Sequence, residues 1–452
     1  MKADRRSVAI LGAGIAGLSI ACELSENGRV LTVVEKSPFV GGIARSVEKD
    51  GFIFDLGGHR IYSDKKWVIE KVKNILGGDL DLVSRKSRIR LGERFIDYPP
   101  KPLSVLSSFG LWEGTNILAS YISSAVKTKV NAQKGDSFEQ WVVSRFGTKM
   151  YEIFFKPYTE KVCGLPCSEI SADWGVKRVG VESLLQAFRK ALFQANGLSR
   201  TYAAQFYYPR KGIGTIAATM ADKVNKGDNR ILLGWEVKEV RWQQKAIESL
   251  LIANGDKQEE LVADRFISTI PLTLLVSLMR PALPPDILEA ALKLQYRALV
   301  CILLIVDKER ITDDHWIYFP DKDIVFARAH EPRNWSEELV RDGRTSLCVE
   351  ILCSKDDQTW LATDEIITEK VVADLSNLGI LNSDEVMGSF VERIPYAYPL
   401  LKLGYQDHLA ELMGCFSQIE NLHLIGRTGT FKYWGMDDVI EEAVLAANKM
   451  LR

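Results

Sequence analysis

The sequence has no run of about 18 uninterrupted apolar residues, the length a membrane-spanning helix needs, so no transmembrane segment is expected. It also lacks a charge excess. Its 58 Lys and Arg stand against 59 Asp and Glu, a net charge of -1. Such a balance supplies no broad positive field and argues against nucleic acid as a partner. Cysteine is sparse and odd in number: Cys22, Cys163, Cys167, Cys301, Cys348, Cys353 and Cys415. That excludes a secreted disulfide framework and points to reduced thiols, hence a cytoplasmic location. Cys163 and Cys167 are spaced to share a helix face, but no nearby His or second Cys pair completes a zinc site, so no metal is expected. No fixed-period repeat or low-complexity segment is present. The first 24 residues read superficially as a basic start and an apolar run. Three glycines break that run and Glu23 stands where a cleavage region should be small and neutral, so it reads as a strand and a helix. What remains is a 452-residue chain that is 46% hydrophobic. It is long enough for two or three domains at about 150 residues each.

The first element carries chemistry. Ser7–Leu11 is a β-branched and aliphatic run suited to a parallel strand buried on both faces. Gly12-Ala13-Gly14-Ile15-Ala16-Gly17 follows directly, then a helical stretch over 18–24 and a second strand over 30–34 ending at Glu35. In this βαβ setting Gly12 permits the tight turn, Gly14 lets backbone approach a pyrophosphate, and Gly17 lets helix and strand pack closely. The helix N-terminus offers free N–H groups to phosphate, and Glu35 stands where it can accept from a ribose hydroxyl. A second glycine pair, Gly41-Gly42, and Arg45 come just after the acidic strand. Ala16, Lys36 and Val237 complete the candidate dinucleotide set.

The rest of the chain reads as discontinuous. Phe52–Asp55 is a strand leading into Leu56-Gly57-Gly58-His59-Arg60-Ile61-Tyr62, where glycines let backbone run against a flat ligand. The segment 94–100 is a short strand with a proline stop. A stretch over 103–125 reads as a helix of a substrate domain, or alternatively as an amphipathic membrane-surface helix. Ser137 is an N-cap for the next helix. Strands are expected over 229–240 and 265–268, and over 298–306, 316–319, 324–329 and 345–352, the latter group suggesting an inserted antiparallel sheet, with a last parallel strand over 422–425 and a helix from about 437. The fold class is therefore α/β: a Rossmann-type domain (1–85, 205–275 and 415–452), an inserted mainly helical domain (100–204), and an inserted antiparallel-sheet domain (86–99 and 276–414).

The second glycine pair and Arg45 resemble the flavoprotein group shared by amine oxidases, phytoene desaturases and sugar mutases, which implies FAD rather than NAD. Further stretches resemble the UDP-galactopyranose mutase family in order along the chain. They are Gly57-Gly58-His59, Arg94-Phe95-Ile96-Asp97-Tyr98-Pro99, the YTEK-like Tyr158-Thr159-Glu160-Lys161-Val162-Cys163-Gly164, Lys177-Arg178, the strand Arg328-Ala329-His330-Glu331, Tyr398-Pro399, and the closing Gly426-Arg427-Thr428-Gly429-Thr430-Phe431-Lys432-Tyr433-Trp434-Gly435-Met436. The glycine fingerprint is shared by many flavoproteins; the YTEK-like and closing segments are far more specific.

The resemblance implies interconversion of pyranose and furanose rings of a nucleotide sugar, with N5 of reduced FAD as the nucleophile and no net redox change. Arg178 and Arg328 fall at diphosphate-binding positions, suited to the task by their planar forks. Arg427 falls near flavin or diphosphate, and Tyr398 and Tyr433 are sugar- or phosphate-facing hydroxyls. His59 lies against the flavin, where an imidazole titrating near neutrality assists proton transfer. Gly426, Gly435 and Met436 face the flavin, the last two through the helix N-terminus. Glu160 and Glu350 are acids near the site. The family's nucleobase-side Trp is Cys163 here, its Asp before the closing Met is Gly435, and its second loop His is Tyr62. These departures leave the particular sugar open. Expected partners are a nucleotide sugar and an electron donor such as NAD(P)H or a reductase; a homodimer is one compatible assembly. Two other classes stay open: an oxidase or desaturase of the amine-oxidase type, and a flavoprotein without activity.

Overall fold

The structure is a computed structural model. It describes residues 7–98, 120, 136–178 and 204–452, with side chains of the third segment described as far as 176. The stretch 103–125, apart from residue 120, lies outside the described residues.

The βαβ unit forms as its sequence dictates. Ser7–Leu11 pairs in parallel with Val30–Glu35 and with Arg265–Ser268. These strands are centre to a five-stranded parallel sheet whose order is Leu422–Leu424, Arg265–Ser268, Ser7–Leu11, Val30–Glu35, Arg230–Leu233. Three residues of each inner strand are fully buried, consistent with helices covering both faces. Ile15–Glu26 lies between Gly214–Val224 and the closing helix Met436–Leu451. The helix reaches the strand closely because Gly17 has no side chain: a Cβ there would stand 2.0 Å from the Gly12 carbonyl oxygen.

A seven-stranded sheet runs Val386–Leu400, Gln295–Val306, Thr345–Cys353, Arg328–His330, Trp316–Tyr318, Ser87–Leu91, Arg94–Asp97. Gln295–Val306 sits inside it and is apolar on both faces, which splits its side chains into two cores. Ala298, Val300, Ile302 and Leu304 pack toward Ile367, Val371 and Leu375 of the helix Asp364–Asn377. Leu299, Cys301, Leu303 and Ile305 pack toward Phe52, Phe54 and Leu56. At about 1.5–3 kcal/mol for each large side chain fully buried, the second core fastens this sheet to the strand that leads into the Gly57-Gly58 loop. A third, four-stranded sheet comprises Lys257–Leu261, Ala246–Asn254, Glu236–Gln243 and Met279–Arg280.

The α/β class with a parallel sheet and additional sheets stands, with four local corrections. The expected strand over 324–329 enters the sheet only at Arg328–His330; Ile324 and Phe326 are buried ahead of it as irregular chain. The inserted sheet is not wholly antiparallel, since Trp316–Tyr318 runs parallel to Ser87–Leu91. Val386–Leu400, the longest strand described, was not anticipated. Cys163 and Cys167 do not share a helix face, because the helix Lys156–Cys163 ends at Gly164 in a left-handed conformation, φ 69°.

Gly17→Ala is expected to cost about 3 kcal/mol or more, a close-packing clash with rigid backbone. Denaturant unfolding measures it; unchanged stability would contradict the packing.

Candidate functional site

Two glycine loops meet at the end of the parallel sheet. Gly41 donates its N–H to the Ala13 carbonyl at 2.8 Å, and a Cβ on Gly42 would come 3.5 Å from the Gly14 Cα. A Cβ built on Gly14 itself meets nothing within 4 Å. The fingerprint helix starts there without a side-chain cap. An uncapped helix N-terminus beside open space, walled by glycines, suits a pyrophosphate. The Glu35 carboxylate accepts from Ala13 N and Ser37 N, both at 2.8 Å, which fixes it at the strand end. Arg45 pairs with Glu392 on the far sheet, while its buried Nε has no hydrogen-bond partner. Gly426, at φ 83°, lies over Ala16, where a Cβ would approach the alanine Cβ to 2.7 Å. Gly435 precedes the closing helix, and its N–H is taken by Asp438 at 3.0 Å. Met436 opens that helix. Val237 is buried in the strand Glu236–Gln243. Lys36 stands at the surface, its side chain 74% exposed and paired with Glu236.

The Gly57-Gly58 loop meets the seven-stranded sheet at a buried charge cluster. Register places Arg328 opposite Glu350 and His330 opposite Cys348. Arg328 donates from Nε and Nη2 to the two Glu350 oxygens, each at 2.6 Å, with 3% of the Glu350 side chain exposed. The glutamate also accepts from Gly58 N at 3.2 Å. Gly57 sits at φ 102°, a conformation side chains rarely adopt, and a Cβ there would press on Glu350 Oε2 at 3.2 Å. Burial alone would raise the Glu350 carboxyl, but the Arg328 guanidinium and His330 hold it well below the usual carboxylate range. His330 Nδ1 stands 3.6 Å from Glu350 Oε1. Burial pulls His330 down; Cys348 and Glu350 more than offset it and raise it to about 10.

Arg427 completes the cluster from the closing segment. Its guanidinium lies 4.3 Å from the Tyr398 ring centroid and 5.2 Å from that of Tyr433, and these two rings stack 5.7 Å apart. Arg427 Nε and Nη2 are buried without a hydrogen-bond partner. An Arg held by aromatic faces keeps its N–H edge for an anion. Burial pushes the Tyr398 hydroxyl up, so it remains a donor.

Sequence reasoning expected His59 to titrate near neutrality. The structure corrects this: burial, with Arg328, Arg427 and His330 nearby, lowers it to about 4 despite Glu350. His59 is thus a neutral imidazole, and its buried Nδ1 has no partner. Arg178 ends the helix Ala172–Arg178, and its side chain lies outside the described residues. Glu160 serves structure, accepting from Cys167 N at 3.4 Å and standing 3.5 Å from Lys322 Nζ. Sequence reasoning missed His330 and Glu392. His330 sat inside a quoted motif as a strand residue, and nothing in the sequence joined it to Glu350, 20 positions on.

The orphaned donors of Arg45, Arg427 and His59, and the open space at Gly14, fit a dinucleotide whose ring system reaches the Gly57-Gly58 loop. Comparison agrees. The family described as flavin containing amine oxidoreductase matches residues 15–451. The chain is 27% identical over 180 residues to a probable UDP-galactopyranose mutase of Klebsiella pneumoniae, covering 38% of this chain and 44% of that protein. It is 25% identical over 203 residues to the mitochondrial protoporphyrinogen oxidase of Nicotiana tabacum, covering 42% and 40%. The matched stretches thus span under half the length of these curated relatives. Among solved structures, reduced UDP-galactopyranose mutase superposes with a TM-score of 0.85 at 22% identity, over 99% of this chain and 94% of that one. A putative protoporphyrinogen oxidase from Exiguobacterium sp. 255-15 gives 0.76 at 16% identity, over 99% and 98%. The cofactor is FAD. No helix among the described residues is long and apolar enough to cross a membrane.

Because the folded Glu350 carboxyl is depressed, it contributes stability above its unfolded value of about 4.3 that is lost as pH falls toward its folded value. Between about pH 5 and 2 the wild type should lose stability more steeply than Glu350→Gln, measured by urea unfolding; parallel curves would show that Glu350 is not held ionised.

Proposed function

Because the chain belongs to the flavin-containing amine oxidoreductase family, we propose that it is a flavin-dependent mutase. It would interconvert pyranose and furanose forms of a nucleoside-diphosphate sugar. One observation carries the reading: Arg328, locked by Glu350, and Arg427, stacked on Tyr398 and Tyr433, converge on the flavin-side glycine loop. Fixed guanidinia are what a departing diphosphate needs as negative charge develops. An apolar amine or polyene gains nothing from them.

Reduced FAD, when bound, supplies the nucleophile for the anomeric carbon. The chain's own residues do the rest. Arg328 and Arg427 bind and orient the diphosphate and offset its charge as the glycosidic bond breaks and reforms. Glu350 holds Arg328 at one angle, so no reorganisation is needed during reaction. Tyr398 and Tyr433 present hydroxyls toward sugar or phosphate. His59, neutral, donates or accepts one hydrogen bond at the loop and carries no charge that would compete with the guanidinia. Arg178 belongs with the diphosphate side in this reading. An electron donor, NAD(P)H or a reductase, would be needed to charge the flavin.

The likeness to protoporphyrinogen oxidases favours a second reading, net oxidation of a substrate with oxygen consumed. Turnover separates the two. The mutase reading expects conversion of UDP-galactopyranose or a related nucleotide sugar only after dithionite reduction, with no oxygen uptake. Arg328→Lys keeps a charge beside Glu350 but loses the planar fork, and should lower turnover by about 100-fold with flavin content unchanged. Oxygen consumption without prior reduction, or parallel loss of flavin in the variant, would overturn the reading.

A further inference from the structure

One side chain ties together the two elements that deliver the stacked pair Arg427 and Tyr398. Tyr296 lies in the strand Gln295–Val306, and its hydroxyl donates to the carbonyl of Thr428, the residue after Arg427, at 2.8 Å. The Leu272 N–H donates to both the Tyr296 hydroxyl and the Thr428 carbonyl, each at 3.1 Å. The Tyr296 ring meets Phe431 edge-on, with 5.0 Å between centroids, and meets Tyr396 edge-on at 5.5 Å. Phe431 stands between Arg427 and Tyr433 in the closing segment, buried, with φ 53°. A bulky side chain rarely adopts that conformation, so its surroundings must hold it there.

The Tyr396 contact falls on a bulge. Arg297 is in register with Tyr398 and Leu299 with Ile394, so residue 298 alone faces 395–397. Extra residues of this kind bend a strand and re-aim the neighbouring side chain, here Tyr398. Tyr296 therefore packs against the bulge that aims Tyr398 and fastens the segment that carries Arg427. Arg427 has no hydrogen bond at Nε or Nη2 and lies 4.3 Å from the Tyr398 ring centroid. Its place depends on that ring, on Tyr433 and on the backbone at Thr428, and Tyr296 acts on the first and the last of these.

We propose that Tyr296 is a positioning residue for the diphosphate-binding guanidinium: through Thr428 and Tyr396 it sets Arg427 and Tyr398 against each other without itself touching the substrate. The inference rests on the diphosphate role given to Arg427 and deepens it. Tyr296 carries no motif and stands two residues ahead of the strand expected over 298–306, so nothing in the sequence marked it.

The test uses the flavin-loaded full chain, with Tyr296→Phe, Arg427→Gln and the double variant. Tyr296→Phe keeps both ring contacts and removes only the donor, while the Leu272 N–H retains the Thr428 carbonyl. With UDP-galactopyranose after dithionite reduction, Tyr296→Phe should raise KM about fivefold, the scale of one hydrogen bond, with flavin content unchanged. Added to Arg427→Gln, the same change should raise KM by no more than about twofold, since no guanidinium is left to misplace. A fall in kcat alone, as from a smaller folded fraction, an unchanged KM, or an equal KM rise in both backgrounds would overturn the positioning role while leaving the mutase reading intact. Turnover by none of the proteins, wild type included, would overturn the mutase reading instead, and the same cycle is then read from the dissociation constant of UDP. If UDP does not bind, crystal structures decide: Arg427 shifted off the Tyr398 ring in Tyr296→Phe supports the role, and an unmoved guanidinium refutes it. Tyr396→Leu, which removes the contact on the bulge, serves where Tyr296→Phe does not retain its flavin, and its KM rise should likewise vanish in the Arg427→Gln background.

Discussion

A carboxylate and a guanidinium taken out of water together each cost several kcal/mol, and their attraction repays this only when geometry and hydrogen bonding are nearly complete. The Arg328–Glu350 pair meets that condition with two short, parallel hydrogen bonds and a third from Gly58. Much else is arranged around it. Gly57 stands at φ 102°, which side chains rarely adopt, and a Cβ there would crowd Glu350 Oε2 at 3.2 Å. The strand Phe52–Asp55 must end where it does to deliver that loop. It is fastened by Asp55, which accepts from Ser46, Tyr208 and the backbone of Ile213. An ion pair this enclosed is weak grounds for stability; its value is a guanidinium that cannot turn away from the ligand loop.

The second organising feature is the meeting of two scaffolds. The parallel sheet gathers strands from far apart in sequence and leaves an uncapped helix end beside open space at Gly14. The seven-stranded sheet brings its charged face to the other end of the same cleft. Arg45, from the nucleotide-side loop, pairs with Glu392 of the sheet, so that loop is tied to the sheet by charge.

The sequence made the βαβ unit legible because each glycine answers a steric demand that no other residue meets. Ser137 was readable as an N-cap for the same kind of reason, and it accepts from Gln140 N. The strand Val386–Leu400 was hidden by Pro395, Pro399 and Gly388, residues that argue against a central strand. It is an edge strand, where a missing N–H is tolerated. The run over 324–329 looked like a strand because it is apolar, yet its burial comes from irregular chain packing. At the site, the family resemblance pointed to Arg328, Arg427, Tyr398 and Tyr433, which the fold draws together. Their electrostatics were not readable: His59 owes its depressed value first to burial and then to guanidinia distant in sequence. Glu350, a lone charge in the apolar run Thr345–Cys353, was the available signal for a buried partner.

The central claim is that this cleft brings the anomeric carbon of a nucleotide sugar to the reduced flavin while guanidinia hold the diphosphate. Its most direct test is mass spectrometry of the flavin after dithionite reduction, addition of the nucleotide sugar and quenching with borohydride. The account predicts a flavin heavier by one sugar, absent when the protein is kept oxidised. Unmodified flavin under both conditions, from protein shown to bind the nucleotide sugar, would contradict it.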